Sequence, residues 1–192
     1  MRKTMLLAAA LIATLAVPAF AEETVRVPML NNVYSVEAPA EWIVEQNEHG
    51  QARFTPEEGS PYSIVFFPPN PDVEGEIAEY AGIVTGALLG QIGGEIGEEE
   101  ELDFDGRDGL MFEFAIPADG GTLLGIGMVV DFDGYGVLCL ATGPEEDIEE
   151  FIEIAGEIMG SYMINEEAVR ENADLLQEIA DQLVKELAEL YQ

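Results

Sequence analysis

The chain has 192 residues, of which 39 are Asp or Glu and 7 are Lys or Arg, giving a formal net charge of −32 at pH 7. So acidic a surface repels phosphate backbones and anionic headgroups, which excludes binding to nucleic acid and to an anionic membrane surface. Hydrophobic residues make up 48% of the chain, enough to bury a core, so it is not a disordered acidic tail.

The N-terminal segment has the three parts of a secretory signal peptide. Arg2 and Lys3 form a positive region, residues 5–17 are apolar, and an Ala-Phe-Ala motif ending at Ala21 offers the small residues that signal peptidase requires. The apolar run is shorter than the roughly 20 residues that cross a bilayer. We therefore predict that residues 1–21 are a signal peptide cleaved near Ala21, and that the mature protein is periplasmic or extracellular.

Short apolar segments separated by turn residues predict strands in the first part of the mature chain. Residues 24–38 are predicted to be extended, and three short strands are expected over residues 42–46, 51–55 and 62–67. Asn and Gly within residues 47–50 indicate a tight turn between two of these strands.

A helix is predicted over residues 72–91, and its composition is unusual. Carboxylates are absent between Glu79 and Glu95, and each interior glycine costs a helix about 1 kcal/mol. One side of this helix carries only small residues at i+4 steps, which we predict to form a packing or partner groove: Ala78, Gly82, Gly86 and Gly90. Its occupant is open between the C-terminal helix of the same chain, that helix of a second subunit, an external peptide or lipid-like ligand, and simply a closely packed sheet.

Four longer strands are predicted after the Gly-Gly pair at residues 93–94, which ends the helix. They cover residues 95–104, 109–116, 122–132 and 135–142. The Asp-Gly pairs between them are strong hairpin signals, so an antiparallel meander is expected.

Two helices are predicted after the meander. The first opens at Pro144, which suits a first helical turn, and extends to about Tyr162. The second has Asn165 as its N-cap and extends to about Leu190. Its apolar residues share one broad face, which we predict to be a helix interface: Leu176, Ile179, Leu183, Leu187 and Leu190.

The order of these elements resembles that of PsbP-like domains. Residues 34–42, with the sequence YSVEAPAEW, are similar to the family's opening of an extended strand followed by Pro, two residues and Trp. The strand that ends at residues 66–68, the turn at residues 104–109 and the helix that ends at residues 159–162 follow in the family's order. The resemblance covers roughly residues 24–162.

This resemblance implies an α+β fold, in which an α/β/α sandwich is built on a central antiparallel sheet. It also implies a non-enzymatic binding or assembly role, because the family includes photosystem extrinsic subunits, cofactors of small GTPases and secreted bacterial lipoproteins. The chain lacks a lipobox cysteine and the basic residues with which photosystem subunits dock, and it adds a C-terminal amphipathic helix. We therefore carry over the fold and no particular partner, and expect a signal peptide (1–21), a PsbP-like domain (22–162) and a C-terminal helix (163–192).

No combination of residues in the sequence predicts chemistry, so we expect no catalytic residue, no metal site and no cofactor. His49, the only histidine, lies in a predicted turn, and Cys139, the only cysteine, lies in an apolar strand where a buried thiol is inert. The acidic run over residues 98–108 departs from the EF-hand pattern at Arg107 and Asp108. We expect a solvated surface there, and weak Ca²⁺ binding stays open.

The sequence thus predicts an exported, non-enzymatic binding or assembly module, with an unknown protein partner or a second copy of itself as the binding partner. The alternative is a structural or envelope protein that self-associates through its C-terminal helix. Whether the acidity reflects adaptation to high salt, where ions screen repulsion between carboxylates, also stays open.

Overall fold

The computed structural model describes residues 23–71, 81–82, 86, 89–90, 93–118 and 121–190, apart from the side chains of residues 183–184 and 186–190. Alternating apolar and polar residues form strands in these ranges: β1 (Thr24–Met29), β2 (Tyr34–Pro39), β3 (Ile43–Gln46), β4 (Ala52–Thr55), β5 (Ser63–Phe66), β6 (Glu95–Phe104), β7 (Arg107–Ala118), β8 (Gly121–Phe132), β9 (Tyr135–Pro144) and β10 (Met163–Ile164). One antiparallel sheet has seven strands in the order β3-β4-β5-β9-β8-β7-β6, and a small sheet has three in the order β1-β2-β10.

Helices occur before and after the four-strand meander. After β9 the chain makes a 3₁₀ turn (Glu145–Asp147) and then forms three helices: α1 (Ile148–Gly160), α2 (Glu166–Glu171) and α3 (Ala173–Leu190). The predicted first helix is described at residues 81, 82, 86, 89 and 90, which are all helical. We call this element the glycine helix.

The glycine helix ends as its sequence predicts. Gly93 adopts the left-handed conformation with φ 69°, and its N–H donates a hydrogen bond of 3.3 Å to the carbonyl of Gly90. The N–H of Gly94 donates a hydrogen bond of 2.7 Å to the carbonyl of Leu89. This pair of bonds is the Schellman motif, in which a left-handed residue satisfies the last carbonyls of a helix. The chain then enters β6 directly.

Two hairpins with the same Asp-Phe-Asp-Gly sequence connect β6 to β7 and β8 to β9. Asp133 and Gly134 have φ of 55° and 91°, the positive values of a type I′ turn. The Asp131 carboxylate accepts a hydrogen bond of 2.6 Å from the N–H of Gly134, and Asp103 accepts one of 2.8 Å from Gly106. These two predicted Asp-Gly hairpins are confirmed, whereas the third predicted turn, at residues 119–121, lies partly outside the described residues.

The larger hydrophobic core lies between one face of the seven-stranded sheet, the small sheet and α1. Aromatic rings meet inside it: Tyr162 stacks on Tyr34 with ring centroids 5.2 Å apart, and on Phe66 with centroids 6.0 Å apart. The buried Tyr34 hydroxyl donates a hydrogen bond of 2.7 Å to the carbonyl of Gly50, and burial raises the pKa of Tyr34. Leu176 of α3 is buried in the same core.

A smaller hydrophobic core lies on the opposite face of the seven-stranded sheet. It contains these buried residues: Ala81 and Leu89 from the glycine helix, and Leu110, Phe112, Phe114, Val129 and Leu138 from the sheet. Val129 belongs to the smaller core, whereas its neighbours Met128 and Val130 belong to the larger core. Successive side chains of β8 therefore point to opposite faces of the sheet. Helices therefore cover both faces of a central antiparallel sheet. The predicted α/β/α sandwich of the α+β class is confirmed.

Two glycines of β8 lie under aromatic rings in the smaller core. Phe112 pairs with Gly127 across the β7–β8 ladder, and Phe114 pairs with Gly125. A Cβ atom at either glycine would overlap the ring of its partner. The rings occupy the space that side chains of β8 would otherwise fill, which keeps the smaller core closely packed.

The prediction for residues 24–38 is wrong in one respect. The sequence predicted one extended segment, whereas the chain turns back after β1 and forms the β1–β2 hairpin. The turn contains three consecutive residues with positive φ, Leu30 (46°), Asn31 (54°) and Asn32 (65°). Asn tolerates the left-handed conformation better than other residues with a Cβ atom, so the local signal for this turn was the Asn-Asn pair.

Two predicted helix boundaries also change. Pro144 pairs with Leu123 as the last residue of β9, and α1 begins only at Ile148, because the β8–β9 ladder continues through the proline. The C-terminal helix is divided at Asn172, whose φ of −110° and ψ of 20° lie outside the helical range. Its predicted N-cap is confirmed, since the Asn165 side chain accepts a hydrogen bond of 3.3 Å from the N–H of Ala168.

Residues after α1 are hydrogen-bonded to the β1–β2 hairpin. Ile164 of β10 pairs with Tyr34 of β2, and the N–H of Asn165 donates a hydrogen bond of 2.9 Å to the carbonyl of Val33. The division at residue 163 stays a prediction, as does the signal peptide, which lies outside the described residues. In the described part of the chain, no helix combines the length and the apolar character needed to cross a membrane.

Candidate binding surfaces

The glycines of the glycine helix face away from the sheet. Ala81 and Leu89 are buried against the smaller core, whereas Gly82 and Gly90 are exposed and Gly86 is half-buried. A Cβ atom at any of these three glycines would meet no described residue within 4 Å. Packing against the described residues therefore does not require them to be glycine.

Two of the four occupants considered for the groove do not agree with this geometry. The sheet lies on the other side of the glycine helix, behind Ala81 and Leu89, so close sheet packing does not explain the glycines. The described start of the C-terminal helix packs on the opposite face of the protein, where Leu176 enters the larger core. The occupant of the groove stays a prediction, and Ala78 lies outside the described residues.

The C-terminal helix is attached to the small sheet through polar contacts as well. The Asn31 amide donates a hydrogen bond of 3.1 Å to the Asn172 side-chain oxygen, and the Asn172 amide donates one of 2.7 Å to the carbonyl of Ala168. Ile179 is half-buried. The other members of the predicted helix interface lie outside the described side chains: Leu183, Leu187 and Leu190.

The single histidine and the single cysteine occupy the places that the sequence indicates. His49 lies in the β3–β4 turn, with its Nε2 atom 3.7 Å from a carboxylate oxygen of the exposed Glu48. Cys139 is fully buried in β9, and burial raises the pKa of its thiol well above the ordinary value. A thiol with a raised pKa forms little nucleophilic thiolate, so this position does not favour reactivity.

The Trp of the opening motif has a packing role. Trp42 stacks on Phe151 of α1 with ring centroids 6.5 Å apart, and Tyr62 lies on the same ring at 4.9 Å. Partial burial raises the pKa of Tyr62, and the neighbouring Asp147 adds to the effect. These aromatic contacts attach α1 to the β3 side of the sheet.

Carboxylates at the hairpin tips act as hydrogen-bond acceptors for the turns. In the described ranges, no group of three or more His, Cys, Asp or Glu side chains is arranged to hold a metal ion. Asp103 and Asp131 each accept the N–H of a glycine three residues later. This arrangement gives the acidic hairpins a structural role.

The sequence interpretation missed one surface, the outer edge of β6. This strand ends the seven-stranded sheet, and all of its residues from Glu95 to Glu101 are exposed. Glu113 lies on the neighbouring β7, and its pKa is raised, first by its partial burial and then by repulsion from Glu98 and Glu100. The sequence signal was the run of four consecutive glutamates, which indicated a solvated surface but gave no sign that it forms a sheet edge.

Comparison with solved structures identifies the fold. Cyanobacterial PsbP (CyanoP) from Synechocystis superposes with a TM-score of 0.60 at 10% identity, over 80% of this chain and 99% of that chain. A point mutant of Mog1 gives 0.54 at 12% identity, over 74% and 96% of the two chains. LpqN, involved in cell envelope biogenesis of Mycobacterium tuberculosis, gives 0.50 at 13% identity, over 74% and 91%.

The chain therefore has the fold shared by PsbP and Mog1, and the resemblance found in its sequence is confirmed at the level of the fold. No family model matches the chain, and no curated protein shows significant sequence similarity to it. At identities of 10–13%, the similarity to these structures shows the fold alone. Function must therefore be inferred from the surfaces of this molecule.

Proposed function

We propose that this protein is an exported, non-enzymatic binding or assembly module whose protein partner packs against the outward side of the glycine helix. The observation that supports this function most directly is the exposure of Gly82 and Gly90 on a helix that needs no glycine for its own packing. Each glycine weakens the helix by about 1 kcal/mol, so an unused set of them is a net cost to the free chain. Close approach of a second backbone offsets that cost.

Fold and composition support the same proposal. PsbP-like proteins, which the chain resembles in sequence pattern and in fold, act as binding and assembly modules. The neighbour LpqN is described as involved in cell envelope biogenesis, which suits a protein with an N-terminal segment of signal-peptide type. The acidic surface restricts the partner to a protein or a small molecule, because polyanions are repelled.

Self-association through the C-terminal helix is the second candidate. Leu176, the first residue of that predicted interface, is already buried in the larger core. The interface would therefore consist of the more distal positions, Ile179, Leu183, Leu187 and Leu190. This candidate predicts a homodimer and no separate protein partner.

The decisive experiment is affinity capture from the exported fraction of the native cells, with tagged wild-type protein and two variants. The double variant Gly82→Leu/Gly90→Leu adds bulk where a Cβ atom meets no described residue. The control is Gly160→Leu, which adds one leucine side chain at an exposed glycine at the end of α1. We expect a stoichiometric partner with the wild type and the control, and its loss with the double variant.

Two outcomes contradict the proposal. If the double variant captures the same partner as the wild type, the glycine helix is not the contact surface. If nothing is captured and sedimentation shows a wild-type dimer that Leu187→Glu dissociates, self-association is the function. A free energy of unfolding in urea that is equal to or higher than that of the wild type shows that the double variant has lost binding and not the fold.

A further inference from the structure

The edge strand β6 combines open hydrogen-bonding groups with a dense row of carboxylates. It is ten residues long, and among the described residues no strand pairs with its outer side. An open edge displays backbone N–H and C=O groups to which another strand can add. The small sheet and the β3 end present shorter edges, so β6 is the longest docking edge in the described part of the chain.

The register of β6 distributes its carboxylates over both faces of the sheet. Glu99 pairs with Phe112, whose ring lies in the smaller core, and Glu100 pairs with Met111, whose side chain points to the other face. The glutamates from Glu99 to Glu101 therefore alternate between faces, and the register is irregular only between Ile96 and Glu99. A strand added beside β6 would have carboxylates next to its side chains on both faces.

Basic side chains do not neutralise this row. The described ion pairs involve Arg26, Arg170 and His49, and none of them includes a residue of β6. The raised pKa of Glu113 has the repulsion of Glu98 and Glu100 among its causes, which indicates that negative charge is concentrated beside the edge. Like charges directly opposite each other destabilise a strand pair, so a second copy of β6 is disfavoured and a cationic strand is favoured.

We propose that β6 is a docking strand for an extended segment of a partner protein that carries consecutive Lys or Arg residues. Backbone hydrogen bonds to the open edge supply affinity, as in other cases of strand addition, and the carboxylates select the sequence. The basic residues must be consecutive because a strand with alternating basic residues meets carboxylates on only one of its faces. The inference rests on the proposed function only in taking the partner to be a protein.

Three synthetic octapeptides of equal charge test the proposal by calorimetric titration at about 0.15 M salt, where screening limits diffuse attraction. The contiguous peptide has a central run of four Lys between Ser residues, and the alternating peptide has Lys at every second position. The third is the contiguous peptide methylated at the backbone nitrogen of each Lys, which keeps the charge and removes donors needed for strand pairing. We expect the contiguous peptide to bind at least about tenfold more tightly than either of the others.

Matched variants locate the binding surface. The triple variant Glu99→Gln/Glu100→Gln/Glu101→Gln removes three charges from β6, and Glu149→Gln/Glu153→Gln/Glu157→Gln removes three charges from the exposed side of α1. We expect the first to weaken the contiguous peptide at least about tenfold and the second to leave the affinity nearly unchanged. Because all six residues are exposed, both variants should retain the wild-type fold, which circular dichroism verifies.

Three results would overturn the inference. Equal losses in the two triple variants would mean diffuse attraction to an acidic surface. Equal binding of the methylated peptide would exclude strand pairing, and equal binding of the alternating peptide would exclude the requirement for charges on both faces. None of these results bears on the glycine helix, because its test uses a different surface and a different readout.

Discussion

The glycines of β8 and those of the glycine helix have opposite surroundings. At Gly125 and Gly127 the rings of Phe114 and Phe112 fill the space that a side chain would need. At Gly82 and Gly90 that space is open to the described residues. A missing Cβ atom thus serves internal packing in the strand, and in the helix it leaves a surface to which another backbone can come close. The same residue type is required by folding in one place and available for binding in the other.

The largest effect is expected for Gly127→Ala. The new methyl group overlaps the ring of Phe112, so the ring or the strand must move, and we expect a loss of about 3 kcal/mol in the free energy of unfolding. Urea unfolding measures it. The matched control is Gly121→Ala in the same strand, where a Cβ atom meets no described residue within 4 Å and the effect should stay within about 0.5 kcal/mol. Similar losses in both variants would refute the role assigned to the ring.

A smaller loss is expected for Gly134→Ala at the tip of the β8–β9 hairpin. Space is available there, but the φ of 91° is unfavourable for any residue with a Cβ atom, so the expected loss is about 1 kcal/mol. This variant separates backbone strain from steric overlap, the effect that dominates at Gly127. A loss in urea unfolding as large as that of Gly127→Ala would mean that overlap is not the reason for the difference.

The smallest effect, with the opposite sign, is expected for Gly82→Ala. Alanine has the higher helix propensity and its methyl group meets no described residue, so the free energy of unfolding should rise by about 0.5–1 kcal/mol. The measurement is again urea unfolding, on the protein without a partner. A clear destabilisation would show that the glycine is needed inside the chain, which would weaken the proposed binding surface.

Local chemistry explains most of what the sequence predicted correctly. Asp105-Gly106 and Asp133-Gly134 are turn signals that act within a few residues, and the structure forms a hairpin at each. The Gly93-Gly94 pair ends the glycine helix, and Asn165 caps the C-terminal helix. The order of such local signals was sufficient to indicate the sandwich fold.

Long-range partners explain what was missed. Pro144 was predicted to begin a helix because proline suits a first helical turn. Its actual pairing with Leu123 depends on a strand that begins more than twenty residues earlier, which the local sequence does not indicate. The roles of the β8 glycines depend on rings in β7, and the open edge of β6 depends on the strand order of the whole sheet. The small side of the glycine helix was predicted from the i+4 spacing of its residues, but the burial of Leu89 in the smaller core depends on residues of the distant sheet strands.

The pairing of β2 with β10 has a consequence for the timing of folding. β2 is made early and β10 late, and the N–H of Glu37 donates a hydrogen bond to the Ser161 hydroxyl across 124 residues of chain. Likewise, among the described strands, β5 pairs with β4 and with β9, the last strand of the meander. A nascent chain therefore exposes two incomplete sheets until its last third is available, and contacts of such long range form slowly. The proposed export requires an unfolded chain, and slow formation of these long-range contacts favours that state during transport.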